Sequence, residues 1–87
     1  MHDSKADAFL RPYFADTVGL AVRAITEAVN DPSHDFHKHA EDFTMYEIGY
    51  FDPIKGVIVP REKGPVVVCQ LLSLRADSLP NPMALEA

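Results

Sequence analysis

The chain has 87 residues and a mass of 9.7 kDa, which leaves room for one small domain with one hydrophobic core. Hydrophobic residues make up 47% and charged residues 24%, a balance that excludes a disordered polymer. Eight Lys plus Arg against thirteen Asp plus Glu give a net charge of −5, which opposes a nonspecific grip on a phosphate backbone.

The sequence also indicates the cellular compartment in which the protein works. The single cysteine, Cys69, excludes an internal disulfide and a cysteine-based zinc cluster, as is usual for an intracellular chain. The first residues lack the basic start and apolar run of a signal peptide, and the longest apolar stretch, Val66 to Cys69, is too short to cross a bilayer. We therefore expect a soluble cytosolic protein with no membrane partner.

The first predicted element is an amphipathic helix. Thr17 is its expected N-cap, because a short polar side chain can accept from the free amides of a first turn. Asn30-Asp31-Pro32 ends it, since Asn tolerates a left-handed turn and Pro lacks a donor. Apolar residues at spacings of three and four form one stripe, which is expected to face the core: Val18, Ala21, Val22, Ile25, Ala28 and Val29.

The rest of the chain predicts a sheet. Residues 33–42 are polar and histidine-rich and could form a loop or one irregular helical turn that carries Phe36 inward, of which the loop is predicted. The alternating run 44–51 predicts a strand, with Tyr46, Ile48 and Tyr50 on its core face, and a turn at 52–56 pairs it with 57–59 as a hairpin. The β-branched run 66–72 is expected to be the most buried strand.

The two ends are harder to interpret. The apolar residues of segment 8–14 are expected to pack onto the core, whereas Pro80 and Pro82 predict a flexible tail over residues 76–87. The fold class is thus α+β: one amphipathic helix on a small antiparallel sheet of three to four strands, in a single domain of residues 1–75.

Several stretches together resemble the small nonstructural protein of gokushovirus-type Microviridae, bacteriophages with single-stranded DNA genomes. The resemblance covers roughly residues 3–58 and rests on these stretches: Asp3-Ser4-Lys5-Ala6, Pro12-Tyr13-Phe14-Ala15-Asp16-Thr17, Ala21-Val22-Arg23-Ala24, Val29-Asn30-Asp31-Pro32 with His34, Lys38-His39-Ala40-Glu41-Asp42-Phe43, and Ile48-Gly49-Tyr50-Phe51-Asp52. In that family a short apolar strand usually comes before Asp-Ser-Lys-Ala, so we expect either a start upstream of Met1 or a sheet that lacks one strand.

The resemblance implies a nonenzymatic accessory protein of the host cytoplasm. It would act at the switch to single-stranded genome synthesis and packaging, through contacts with phage replication or procapsid proteins. A sheet lacking a strand has an open edge, which suits either strand addition by a partner or homo-oligomerisation. The alternative function is single-stranded DNA binding through scattered basic residues and aromatics that either stack on unpaired bases or simply pack in the fold: Tyr13, Phe14, Tyr46, Tyr50 and Phe51.

No residue pattern of a known catalytic site is present, so no catalytic or cofactor-binding residue is predicted. His34, His37 and His39 lie among acidic residues, but their spacing matches no standard zinc pattern, and no metal site is predicted. Cys69 is expected to be a buried, inert thiol. The residues expected to contact nucleic acid or a partner are all basic: Arg11, Lys38, His39, Lys55, Arg61 and Lys63.

Overall fold

The computed structural model describes residues 1–76, which form one main helix, two antiparallel sheets and short helical turns. This is the predicted α+β class. The predicted flexible tail falls, apart from Ala76, outside the described residues. In chain order the elements are β1 (His2–Asp3), β2 (Ala8–Phe9), α1 (Val18–Val29), α2 (Asp35–Lys38), a first 3-10 helix (Ala40–Asp42), β3 (Phe43–Glu47), β4 (Gly49–Asp52), β5 (Val57–Pro60), β6 (Val66–Gln70) and a second 3-10 helix (Leu71–Leu74).

Helix α1 begins and ends where the sequence predicts. The Thr17 hydroxyl oxygen accepts from the Leu20 amide at 3.1 Å, which satisfies one free donor of the first turn. At the other end the Asn30 amide group donates to the Leu74 carbonyl at 3.0 Å, and its oxygen accepts from the Ala76 amide at 2.8 Å. Asn30 therefore both caps the helix and holds the chain that follows the second 3-10 helix.

The histidine-rich stretch is helical rather than the predicted loop. The His34 ring nitrogen Nδ1 accepts from the Phe36 amide at 3.0 Å and thereby caps α2. Phe36 is half-buried and packs edge-on against Phe43, with ring centroids 4.9 Å apart. The contact of Phe36 with the core thus stabilises a helical turn whose composition is typical of a loop.

The main sheet has four strands in the order β2-β1-β3-β6, all antiparallel to their neighbours. Strand β3 is central, and its register pairs Thr44 with His2 on one side and with Gln70 on the other. The second sheet consists of β4 and β5 alone, with Gly49 opposite Pro60. The predicted hairpin is present, but it does not belong to the main sheet.

The predicted continuous strand 44–51 is broken at Ile48, where the chain passes from β3 to β4. The Arg61 amide donates to the Ile48 carbonyl at 2.9 Å, so the pairing of β4 with β5 extends one step past Gly49. The next pair is Glu47 with Val66, which leaves residues 62–65 looped out. The two sheets are therefore one long hairpin, bent at Ile48, whose outer part (β4, residues 53–56 and β5) we call the hairpin arm.

The core lies between α1, the first 3-10 helix, the start of β3 and the second 3-10 helix. Its buried members are Ala21, Ile25, Val29, Ala40, Phe43, Met45 and Leu71. The expectation that Tyr46, Ile48 and Tyr50 face the core is wrong: Phe43 and Met45 do, whereas Ile48 and Tyr50 are exposed. Both faces of this strand are apolar, so alternation could not decide which one α1 would cover.

Two further expectations about burial are wrong. Strand β6 is not the most buried strand, because Val66 and Val67 are exposed and only Val68 and Cys69 are partly buried against the core. It is an edge strand of the main sheet. The segment 8–14 does not pack into the core either, since its large apolar side chains are exposed.

A candidate binding groove

An open groove of about 1050 Å³ lies between the segment Leu10–Val18 and the consecutive strands β3 and β4, which meet at the bend. Aromatic, aliphatic and proline side chains line most of it, including Phe9, Leu10, Phe14, Phe51 and Ile58. Its inner end reaches core residues, among them Ala21 and Met45. A concave site lined mainly by apolar side chains is the usual form of a binding site.

One wall of the groove is a segment without regular structure. Pro12 fixes its own φ and disfavours a helical conformation at the residue before it, which keeps the chain out of a helix ahead of α1. The Leu10 amide donates to the Met1 carbonyl at 2.7 Å, and the Tyr13 hydroxyl donates to the Ala21 carbonyl at 3.4 Å. These bonds hold the segment at a fixed place beside α1 and leave its apolar side chains exposed.

The facing wall is the hairpin arm. Phe51 meets Phe14 across the groove with ring centroids 6.1 Å apart in a T-shaped arrangement. Gly49 allows β5 to approach closely, because a Cβ placed there would collide with the Val59 carbonyl oxygen and lie 3.0 Å from the Pro60 Cα. The groove thus depends on a glycine at the base of the arm and on an aromatic pair across its mouth.

Few charges face the groove. Arg61 Nη1 lies 2.9 Å from Glu47 Oε1, and this ion pair joins the end of β3 to the residue after β5 across the bend. Asp16 adds an exposed carboxylate on the opposite wall. Burial, and secondarily the nearby Cys69 thiol, raises the pKa of the Tyr13 hydroxyl, so this group stays protonated at neutral pH. The groove is suited to apolar contact rather than to proton transfer.

The six basic residues that the sequence singled out are not brought together. Arg61 lines the groove and is paired with Glu47, while Lys55 lies in the turn of the arm. The other four are exposed: Arg11 in the segment before α1, the neighbours Lys38 and His39 at the end of α2, and Lys63 in the looped-out residues. The described part of the chain therefore contains no single basic surface built from these six residues.

The three clustered histidines do not converge. His34 caps α2, and His37 Nδ1 donates to the Val29 carbonyl at 2.8 Å, which takes both rings away from a shared site. His39 instead lies with Glu41 and Asp42, whose nearest ligand atoms are within 4.8 Å of one another. His39 and Glu41 are exposed. The absence of a metal site stays a prediction.

An aromatic cluster lies on the face of the sheet opposite the core. His2 pairs with both Phe9 and Thr44, and paired residues project to the same face, away from Phe43. The Phe9 ring lies 4.8 Å from the His2 ring and 5.3 Å from the Tyr46 ring, in T-shaped contacts. Asp7 lies 3.7 Å from the His2 ring. Tyr46 therefore lies on the face opposite the predicted one, beside two rings that the sequence did not single out.

Cys69 lies within β6, where it is partly buried beside the core. Burial raises the pKa of its thiol, in the direction the sequence predicted, so the reactive thiolate is disfavoured at neutral pH.

The sequence offered Phe14 and Phe51 only as aromatics that could stack on bases, and it gave Gly49 no role, although all three build the groove. One signal was available: the chain has more large apolar side chains than one twelve-residue helix and a short sheet can cover. The apolar residues around Pro12 were the clearest surplus.

Comparison with known proteins adds the family. The family model described as Phage ORF5 protein matches residues 1–74, whereas no curated protein and no solved structure matches. Within residues 1–76 no helix is both long enough and apolar enough to cross a membrane. The match covers most of the chain, including the core, the groove and the hairpin arm. The chain belongs to the phage ORF5 protein family.

Proposed function

We propose that this phage protein is a nonenzymatic accessory factor of a gokushovirus-type virus. It works in the host cytoplasm at the switch to single-stranded genome synthesis and packaging, by binding phage replication or procapsid proteins. The family match supports a phage accessory role. The observation that carries the binding mode is the apolar groove between segment 10–18 and the hairpin arm.

The chemistry of the groove favours binding over catalysis. Its walls offer aromatic and aliphatic surface, and the Glu47–Arg61 pair at its rim is already satisfied. Desolvation of such apolar walls by a partner supplies about 25 cal/mol per Å² buried, which is the usual driving force of protein association. The net charge of −5 further favours a partner with basic residues over a phosphate backbone.

A phage genome with a stop codon in this gene tests the role. We expect duplex replicative DNA to accumulate while single-stranded genomes and packaged particles fall, because the switch is blocked. Wild-type protein supplied from a plasmid should restore particle yield. Normal yields of single-stranded DNA and particles from the mutant genome would refute the proposed role.

Single-stranded DNA binding is the second candidate function, and the cluster of His2, Phe9 and Tyr46 is the observation that favours it. Aromatic side chains on an open sheet face can stack on unpaired bases, at about 1–3 kcal/mol per base. The rings contact one another edge-on, however, and Asp7 places a negative charge beside them. Both features weaken stacking and phosphate contact at this face.

Gel-shift titration of single- and double-stranded DNA over a range of salt concentrations separates the two candidates. The protein-contact proposal predicts no shift even at low salt. Tight binding that weakens steeply with salt and is lost in Tyr46→Ala would instead support the DNA-binding candidate. Phe36→Ala, which removes an aromatic ring from the opposite side of the sheet, is the matched control.

A further inference from the structure

The hairpin arm has a free edge, and the direction of its backbone groups can be derived. The Arg61 amide donates to the Ile48 carbonyl, so Ile48 points its backbone groups towards β5. Successive residues of an antiparallel strand point to alternate sides, so Tyr50 and Asp52 also point towards β5. The amides and carbonyls of Gly49 and Phe51 therefore point to the other edge of β4.

That other edge opens into the groove. Strands β5 and β6 pair with the same side of the bent chain formed by β4 and β3. The other edge of β4 therefore lies on the side where β3 pairs with β1. On this side the pairing stops at Thr44, opposite His2. Among residues 1–76, β4 pairs only with β5, and both Gly49 and Phe51 line the groove.

The groove thus combines two features that suit one kind of occupant. Unpaired backbone groups along a strand edge favour the addition of another strand, since each amide–carbonyl bond satisfies an otherwise solvated pair. The apolar walls formed by Leu10, Phe14 and Ile58 suit the side chains on one face of that strand. An extended peptide fits both features, whereas a helix would satisfy its own backbone and leave the edge unpaired.

We propose that the groove binds an extended segment of a partner protein, which adds as a strand to the free edge of β4. The inference rests on the proposed function, because it gives the protein contacts of that function a location and a chemistry. Apolar residues at every second position of the segment face the groove walls. Basic residues at the intervening positions face outward, where they complement the net negative charge of the chain.

A synthetic peptide of alternating valine and lysine is the probe. Two variants carry N-methyl groups, one on every valine nitrogen and the other on every lysine nitrogen. In a bound strand the valine amides point to one side and the lysine amides to the other. We therefore expect one variant to bind about tenfold more weakly or worse, while the other binds like the parent. Charge and composition are the same in both.

Amide exchange of the protein gives a second readout that does not depend on the peptide variants. Binding should slow hydrogen exchange at the Gly49 and Phe51 amides, because these gain acceptors. The Tyr50 amide already points towards β5 and should change little. Equal protection of all three, or no added protection at Gly49 and Phe51, would overturn the proposed docking edge.

Two protein variants locate the site. Phe14→Asp places a charge inside the groove and should weaken binding about tenfold or more. Ile54→Asp changes an equally apolar residue at the tip of the same arm, outside the groove, and should leave binding within about twofold of wild type. Both positions are exposed, so neither change disturbs the core, and circular dichroism checks the fold.

Three outcomes would overturn the inference. The first is no binding of the parent peptide at about 1 mM, and the second is an equal loss of binding with both methylated variants. The third is a dimer in sedimentation that Phe14→Asp dissociates and Ile54→Asp does not, because a second copy of the chain would then occupy the groove.

The phage test separates this inference from the proposed function. If Phe14→Asp restores particle yield as well as wild type does, the groove is not the site used, although the role in the switch stands. If peptide binding holds but the stop codon has no effect, the role fails and the groove stands.

Discussion

The two ends of the molecule use the same kinds of apolar residue for different purposes. Where α1 meets the second 3-10 helix, Val29 and Leu71 are both 0% exposed and the surrounding side chains close over them. In the hairpin arm Ile54 is 94% and Ile58 63% exposed. Apolar content alone therefore does not distinguish the core from an exposed surface that is suited to a partner.

The reach of α1 explains the difference. Twelve residues of helix extend about 18 Å, which is enough to cover the start of β3 and the second 3-10 helix but not the arm beyond the bend at Ile48. Beyond that point Phe51 contacts Phe14 of the segment before α1, and the large apolar side chains of the arm are mostly exposed. Truncation of an apolar side chain should therefore lower the free energy of unfolding less in the arm than in the core.

The largest expected effect comes from Leu71→Ala. Truncation of this fully buried side chain should lower the free energy of unfolding by about 2–5 kcal/mol, because it loses apolar burial and leaves a cavity between α1 and β3. Ile58→Ala, in the arm, should cost less than about 1 kcal/mol. Urea unfolding measures both. Similar losses for the two variants would show that the arm is part of one cooperative core.

Two glycine substitutions distinguish the regions next. Gly49→Ala forces the strands of the arm apart and should cost about 1–3 kcal/mol, with loss of amide protection in β5 but not in α1. Gly19→Ala, in the first turn of α1, meets only the Thr17 hydroxyl at 3.8 Å and should stabilise by up to about 1 kcal/mol. Loss of protection throughout the chain in Gly49→Ala would contradict an arm that opens independently.

The ion pair across the bend should contribute less. Glu47 and Arg61 are both more than a third exposed, so a double-mutant cycle of Glu47→Gln and Arg61→Gln should give a coupling of only about 0.2–1 kcal/mol. Lys63→Gln, a nearby exposed cation in the looped-out residues, should show negligible coupling to Glu47→Gln. A coupling for Lys63 as large as that for Arg61 would argue against a specific pair across the bend.

The smallest effect is a pH dependence near the groove. Burial raises the pKa of the Tyr13 hydroxyl above 10.0 and that of the Cys69 thiol above 9.0, their ordinary values. For a folded-state pKa raised above the unfolded value, the stabilisation is complete below the unfolded value and is lost as pH rises through the folded one. Stability should therefore fall at alkaline pH.

Urea melts at pH 7 and at pH 10.5 test this. Tyr13→Phe combined with Cys69→Ala should reduce the alkaline loss of stability relative to wild type, since neither replacement ionises. If the double variant loses as much stability at pH 10.5 as the wild type does, other ionisable groups cause the loss.

Local patterns predicted the elements that local chemistry controls. Thr17 and Asn30 set the bounds of α1, and the turn at residues 52–56 set the hairpin. The groove could not be predicted in the same way. Its walls come from distant parts of the chain, as Phe14 and Phe51 show, and alternation did not reveal that Ile48 breaks the strand. Residues 33–42 allowed either a loop or a helical turn, and the contact of Phe36 with Phe43, which lies outside the turn, stabilises the helical form.

The sequence by itself determined a small α+β chain, a capped helix with one apolar stripe, and a resemblance to phage proteins that the family match supports. Periodicity and capping act over a few residues, so they can be read directly. Only the tertiary structure decided which face of β3 is buried and that Gly49 and Phe51 line an open edge. Those outcomes depend on how far one helix reaches across a bent sheet, which the order of residues alone does not state.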